Sequence, residues 1–458
     1  MKSAIATRST FSLVAPYVPV GAALFCIQLD FFALNLALPM IGATFDLPAT
    51  ELQWLISGYM IAFGSLMIPA GRSADFLGRR RVLQCGIAVF GFSSLMCGLA
   101  PDPVVLIVGR VLQGVGAALV MPSAFALVTN ATKERERPRI VGALLGIAGA
   151  GTALGPVAGG VFATWIGWRW VFLVNVPVAV YAMWRCRTLP NTRDTGVPAS
   201  PASIDGWGTA TVVLGLALLS VAIDNVSRDG WISAATLVPL LLGVLALVGF
   251  RFVERRARSP LVRFDLFRNR VFVVLMVAGG AANIGACVCV VSATINLQSI
   301  RGLTAAQSGM LFLLSSLGIA CCGPLSGRLT VRFRPTMVMA VALLLSVPAL
   351  IWLAVAGDLW LYSLALGACG ITTGMGFALG QLAVQNVLPP SRSAEGTSVL
   401  MTALICSGGV GVVAATSAMS SIGGGTPTAH SILVVLVGLA GLLLVVAVLT
   451  LVVVRRRP

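Results

Sequence analysis

Charge is the scarcest property of this sequence. Only 10% of its 458 residues are Asp, Glu, Lys or Arg, against roughly 25% in a soluble domain. A chain so poor in charge is not built to face water on all sides. A single histidine, His430, and 15 acidic residues leave no cluster with the spacing that a metal requires. No Gly-x-x-x-x-Gly-Lys-[Ser/Thr] stretch is present, so ATP-driven chemistry has no support. No constellation of nucleophile and base is visible either, which speaks against an enzyme. The ten cysteines fall almost entirely within or at the ends of apolar runs. That placement suits small buried hydrophobes rather than a disulfide framework. Cys287 and Cys289, two residues apart, point to different helix faces and make no ligand pair.

What is present in quantity is apolar length. Hydrophobic residues make up 58% of the chain, and the mean hydropathy is +0.97. Apolar runs of roughly 20 residues match the bilayer core as helices. About fourteen of them lie between residues 16 and 454, and the pair at 207–250 separates a fourteen-span reading from a twelve-span one. The first run continues from Phe11 through Asp30 to Pro39 without a small-residue cleavage site, so it reads as a retained span. The fold class expected is an all-α integral membrane protein. Its organisation is an N-terminal bundle over 1–188, a linker with two extra helices over 189–270, and a C-terminal bundle over 271–458.

The net charge of +16 would suit nucleic acid binding, but the basic residues sit in short loops between apolar runs. With the N-terminus inside, the cytoplasmic loops hold nearly all of them, and the outside holds Arg169, Arg228 and Arg301. The positive-inside rule then puts both termini in the cytoplasm. Residues 188–206, rich in Pro, Ser and Thr, read as a flexible connection. Residues 251–270, with seven arginines beside Phe252, Phe264 and Phe267, read as an amphipathic stretch on the anionic inner leaflet.

Two charges interrupt the apolar runs. Asp30 lies about nine residues, roughly 13 Å, from the outer end of the first span. A charge at that depth costs several kcal/mol unless paired or hydrated, so a functional role outweighs a purely structural pair. Ala23, Cys26, Ile27, Ala33, Leu34 and Ala37 share its face and are small enough to line a cavity. Arg110 lies at a similar depth in the fourth span, with Gln113, Gly114, Ala117 and Met121 on or near its face. Pairing with Asp30 competes there with snorkelling of the long side chain to the surface.

Two further segments carry function by shape. The loop Gly71 to Arg81 has glycines at both ends of a charged core, with Asp75, Gly78, Arg79 and Arg80 as the candidate parts of a gate. A simple topogenic cluster is the alternative. In 142–160, Gly142, Gly146, Gly149, Ala153, Pro156 and Gly160 fall on one helix face, and Gly151, Gly155 and Gly159 form a second stripe. Such stripes let backbones approach closely in a bilayer, and Pro156 removes a helix hydrogen bond. A sliding interface and static tight packing both fit. Gln28, Phe32 and Asn35 read as bridges between helices, and Asn283, Ser315, Ser316, Thr372, Thr373, Gln381 and Gln385 as pore lining or interhelical glue.

These segments resemble the fourteen-span drug:proton antiporters of the major facilitator superfamily. Gly142 to Gly160 looks like their antiporter motif, Leu29 to Pro39 like their first-span motif, and residues 71–83 like the superfamily's gate motif. Arg110, Gln113, Gly114, Gly116, Ala117 and Ala118 resemble the fourth-span motif linked to proton transfer. Gly167 to Pro177 and Leu261 to Arg270 resemble segments of the fourteen-span branch. Phe32 stands where a Thr is usual. Ile405 stands where an Arg often precedes the glycine pair Gly408-Gly409, so no coupling role carries over to that position.

The resemblance implies a plasma-membrane exporter with two six-helix bundles and two extra central helices, and with no cofactor beyond the proton gradient. It would be a monomer that moves a drug-like small molecule against proton entry. A proton-coupled uptake carrier for a small metabolite is the main alternative, followed by a non-transporting sensor.

Overall fold

The computed structural model describes residues 13–133, 136–192, 205–230, 232–257, 264–387 and 390–455. Every regular element among them is helical. The first six spans are α1 (Val18–Phe45), α2 (Ala49–Leu77), α3 (Arg79–Gly98), α4 (Pro103–Ala131), α5 (Arg137–Val161) and α6 (Trp170–Cys186). Then come α7 (Gly206–Asp229) and α8 (Ala234–Arg256). The last six are α9 (Arg270–Thr294), α10 (Ala305–Arg332), α11 (Pro335–Val355), α12 (Leu359–Val387), α13 (Pro390–Ile422) and α14 (Ala429–Arg455).

Among the described residues twelve helices are long and apolar enough to cross a membrane, and Trp170–Cys186 and Gly206–Leu219 are shorter apolar helices. Their positions are consistent with the fourteen apolar runs of the sequence. The regular ladder satisfies the backbone inside each helix, which hydrocarbon demands. Buried apolar side chains gather into two cores. One is drawn mainly from α1–α6 and the other mainly from α9–α14.

The extra pair α7–α8 packs against itself, and α7 also packs against α2 and α13. It therefore lies along the seam between the two cores. The apolar window of α8 is only 17% buried, against 78% for that of α2. Its outer face is left for lipid.

Four expectations about loops and cysteines change here. Residues 71–77 are the last turns of α2 and Arg79 opens α3, so the loop expected from Gly71 to Arg81 is reduced to a turn at Gly78. Residues Arg251 to Arg256 are the last turns of α8, not loop, because the helical ladder continues past the apolar run. Residues 258–263 of that stretch lie outside the described residues, and Phe264–Arg268 forms a short 3-10 turn. The connection after α6 is bonded where it is described, through residue 192. Arg80 Nη1 donates to the carbonyls of Arg187 (3.0 Å) and Leu189 (2.8 Å), and Arg79 N donates to Thr192 O (3.0 Å). Residues 193–204 lie outside the described residues. The cysteines are free thiols, but Cys85 and Cys321 are exposed on helix surfaces rather than buried.

Candidate functional site

The ion pair at the centre of the N-terminal core begins with local packing. Gly114 lets α4 approach α2 so closely that an added Cβ would lie 2.9 Å from Ala62 Cβ and 3.1 Å from Phe63 N. That approach brings the Arg110 side chain, one turn earlier on α4, against α1 and α2. Its guanidinium does not snorkel. Arg110 and Asp30 are both 0% exposed, and Arg110 Nη1 donates to Asp30 Oδ2 at 2.5 Å.

The pair is the hub of a network that reaches five helices. Arg110 Nη1 also donates to Gln113 Oε1 (2.6 Å), and Arg110 Nε donates to Leu55 O on α2 (2.9 Å). Gln113 Nε2 donates to Asp30 Oδ1 (3.0 Å) and to Ser94 Oγ on α3 (2.8 Å). From α6, Asn175 Nδ2 donates to Asp30 Oδ1 at 3.0 Å. The guanidinium lies 4.4 Å from the Tyr59 ring centroid and 5.8 Å from that of Phe172, a geometry that favours a desolvated cation. Burying two charges is costly in itself, and removing one partner costs about 3–5 kcal/mol because the other is left uncompensated. Arg110 Nη2, Asn175 Oδ1 and Tyr59 Oη are buried with no partner among the described residues.

A small apolar cavity lies beside α1, lined by Ala23, Cys26 and Ile27 of that helix and by Ile87, Phe90, Val120 and Ala179. Three members of the Asp30 face expected to line a cavity do so. The other three, Ala33, Leu34 and Ala37, are packed solid at 0–1% exposure.

The two small-residue stripes of α5 meet two different partners. Gly151, Gly155 and Gly159 face α1. An added Cβ on Gly155 would sit 2.6 Å from Phe32 Cβ, and one on Gly159 would sit 2.6 Å from Ala33 Cα. Gly149 and Gly160 face α10 of the other core, against Ala320 and against Ala305 and Ala306, while Pro156 O lies against Gly309. Gly146, of the same stripe, meets nothing within 4 Å. The α5–α10 seam is thus tight at the end where α5 stops and looser towards its start. Two hydrogen bonds join the cores at the tight end: Gln298 Nε2 to Leu36 O (3.2 Å) and Ala306 N to Thr164 Oγ1 (3.1 Å). Helix α5 continues through Pro156. The placement of Gly142 at the α5 interfaces lies outside the described residues.

At the arginine-rich end, Gly78 has φ +103° and closes α2, a conformation that favours glycine. An added Cβ there would meet the Asn191 amide at 2.5–2.9 Å. Gly71 lies opposite Ser398 of α13. Arg79 is 8% exposed. The Asp75 side chain lies outside the described residues, so its part in the turn is not described.

The remaining polar candidates are mostly glue. Gln28 Nε2 donates to Thr152 Oγ1 of α5 (3.1 Å), Asn35 to its own helix at Phe31 O (2.8 Å), and Asn283 Nδ2 to Leu404 O (2.6 Å). Thr372 and Thr373 bond their own helix. Gln381 and Gln385 lie outside the described side chains. His430 opens α14, far in sequence from the ion pair. Among the described residues no three His, Cys, Asp or Glu side chains gather for a metal. Sequence reasoning did not single out Ser94, Tyr59 or Asn175. Asn175 lies deep in the sixth apolar run, but an uncharged amide there lacks the cost of buried charge that picked out Asp30.

This arrangement of helices and seams defines a class, and comparison with known proteins agrees. The chain belongs to the Major Facilitator Superfamily, which matches it over residues 20–297 and 271–458. That family consists of membrane transporters rather than enzymes. Particular relatives narrow the picture. The chain is 38% identical over 329 residues to the puromycin resistance protein of Streptomyces alboniger, covering 71% of this chain and 65% of that protein. It is 34% identical over 327 residues to the cephamycin export protein of Amycolatopsis lactamdurans, covering 69% and 65%. The chain spans less than two thirds of the length of both. With the methylenomycin A resistance protein of Bacillus subtilis it shares 29% over 353 residues, covering 76% and 75%. Among solved structures it resembles a peptide transporter bound to sulfate, with a TM-score of 0.71 and 15% identity over 98% of this chain and 96% of that one. That likeness concerns the fold.

Proposed function

We propose that this chain exports an antibiotic or similar amphiphilic small molecule across the plasma membrane in exchange for protons, by alternating access. The observation that carries the reading is the Asp30–Arg110 pair, wholly buried and tied to five helices of one core. Neutralising Asp30 by a proton removes the charge that Arg110 compensates and loosens α1 from α4 and α6. The free energy at stake is that of breaking a buried pair, about 3–5 kcal/mol, which is ample to bias two arrangements of a helix bundle. Helix α5, smooth towards α1 and towards α10, is the moving part that conveys this bias to the seam between the cores. Resistance and export functions of the relatives favour outward movement of the substrate over the uptake alternative.

In this reading both termini and the arginine-rich loops face the cytoplasm, where the positive-inside rule puts them. Gly71 and Asp75 in the last turns of α2, Gly78 in the turn itself, and Arg79 and Arg80 at the start of α3 gate that side. Residues 1–188 and 271–458 are the two moving bundles, with 189–270 joining them. The exporter works as a monomer, with the bilayer, the drug and protons as its partners, without nucleic acid and without a cofactor beyond the gradient.

The test is accumulation of puromycin and a panel of lipophilic cations in an efflux-deficient host. Expression should lower accumulation, and a protonophore should abolish the difference. Raised accumulation that depends on the gradient would instead establish uptake. No change under any condition would leave the transport reading without support.

A further inference from the structure

Asn175 is completely buried beside the ion pair, and its amide is only half used. Nδ2 donates to Asp30 Oδ1 at 3.0 Å, while Oδ1 has no partner among the described residues. Gln113 differs, since its Oε1 accepts from Arg110 and its Nε2 donates to both Asp30 and Ser94. The two ends of a primary amide are nearly equal in shape and opposite in hydrogen-bonding sense. An ionised carboxylate only accepts, so the present orientation, with nitrogen towards Asp30, fits the charged acid. A protonated acid has an O–H to donate. The reversed amide, with oxygen towards Asp30, fits that state, and a half turn about one side-chain bond converts one into the other.

The backbone supports such movement. Asn175 opens the second segment of α6, after an interruption at Val174 between Trp170–Leu173 and Asn175–Cys186. Pro177 has no N–H to offer Leu173 O, so the ladder is broken at that level. Other groups face the same acid from every side: Arg110 of α4, Tyr59 of α2, Cys97 of α3 and Cys26 of α1 itself. Arg110 only donates. The Tyr59 hydroxyl makes no hydrogen bond to Asp30, and turning Gln113 over would break its bonds to Arg110 and Ser94.

We infer that Asn175 is a positioning residue that reads the protonation state of Asp30: it donates to the carboxylate, turns over to accept from the acid, and so passes the proton's arrival to α6. This rests on the proton coupling at Asp30 proposed above. In each state the amide satisfies Asp30, which neither an apolar side chain nor a donor-only group can do.

The experiment uses the full chain in proteoliposomes, with puromycin as the probe substrate. Wild type, Asp30→Asn, Asn175→Leu and Asn175→Ser are compared by export rate against pH and by infrared difference spectra on pH titration. The carboxyl band of Asp30 is identified by its loss in Asp30→Asn. Leu matches Asn in size and removes both polar ends. A hydrogen bond to a charged acceptor is stronger than one to a neutral group, so its loss disfavours the charged acid. The pH midpoint of Asn175→Leu should therefore move to more alkaline values by about one pH unit, and the Asp30 carboxyl band should shift.

Ser keeps a donor and an acceptor, so Asn175→Ser should lie between Leu and wild type. If Asn175→Leu cannot be recovered folded, Asn175→Ser carries the same two readouts. Slower export at every pH with an unmoved midpoint and band, in a background where Asp30→Asn abolishes gradient dependence, would overturn the role of Asn175 and leave the coupling intact. Gradient-dependent export by Asp30→Asn itself would overturn both.

Discussion

Alanine at three glycines of α5 separates packing within one core from packing between the cores. The same methyl group is added each time, on the same helix. At Gly159 it would meet the backbone of Ala33 on α1, with Cα at 2.6 Å and the carbonyl carbon at 2.8 Å. Carbon atoms pack best at about 3.5–4.0 Å, so α1 and α5 must separate by roughly 1 Å, and backbone cannot turn aside as a side chain can. Overpacking of this kind costs about 1–3 kcal/mol. Ala33 lies three residues from Asp30, so the displacement also disturbs the ion pair.

At Gly160 the methyl meets Ala305 and Ala306 of α10, with contacts at 2.8 and 3.0 Å. Here the strain is relieved by tilting the cores apart at that end. Folding should suffer less than export. Each 1.4 kcal/mol set against the closed arrangement lowers its share about tenfold. At Gly146 the methyl meets nothing within 4 Å, and the change gains up to about 1 kcal/mol of helix propensity.

The assay is thermal unfolding in detergent alongside export rate per inserted molecule. The expected order of stability is Gly146→Ala at or above wild type, then Gly160→Ala, then Gly159→Ala. The largest loss of export relative to stability should fall on Gly160→Ala. Equal unfolding temperatures for Gly146→Ala and Gly159→Ala would refute the close approach of α5 to α1.

Asp30→Asn should insert and lose gradient-driven export. The amide keeps an acceptor for Arg110 but not its counter-charge, so part of the roughly 3–5 kcal/mol of the buried pair is also lost. Folded yield is measured beside accumulation with and without a protonophore. Arg110→Ala leaves Asp30 buried without its cation and should destabilise by about 3–5 kcal/mol, read as lost folded yield. Arg110→Lys keeps the charge but not the fork that reaches Leu55 O, Asp30 and Gln113 together, so partial yield and reduced export are expected. Gly78→Ala puts a side chain at φ +103° against Asn191. It should loosen the hold of residues 187–192 on the α2–α3 turn, seen as faster proteolysis after Arg187.

Much of this molecule is legible without a fold. Span length follows from the thickness of hydrocarbon, and the cost of a charge follows from depth, so Asp30 and Arg110 stand out in a linear reading. The stripes of α5 follow from helical period alone. Which stripe meets which helix does not. Most faces of these helices are apolar, and lipid competes for all of them, so periodicity alone does not assign partners.

Packing over long sequence distances gave Gly159 to α1 and Gly160 to α10, turned Arg110 inward rather than to the surface, and joined the segment after α6 to the Gly78 turn. It also brought Asn175, 145 residues away, to Asp30. An uncharged amide raises no alarm in an apolar run, because its burial is tolerable wherever one hydrogen bond is found. The sequence by itself determined that a buried acid, and a cation at similar depth, had to be accommodated in a bundle of membrane helices. The tertiary structure decided what surrounds them, because only the assembled helices bring the partner groups within hydrogen-bonding distance.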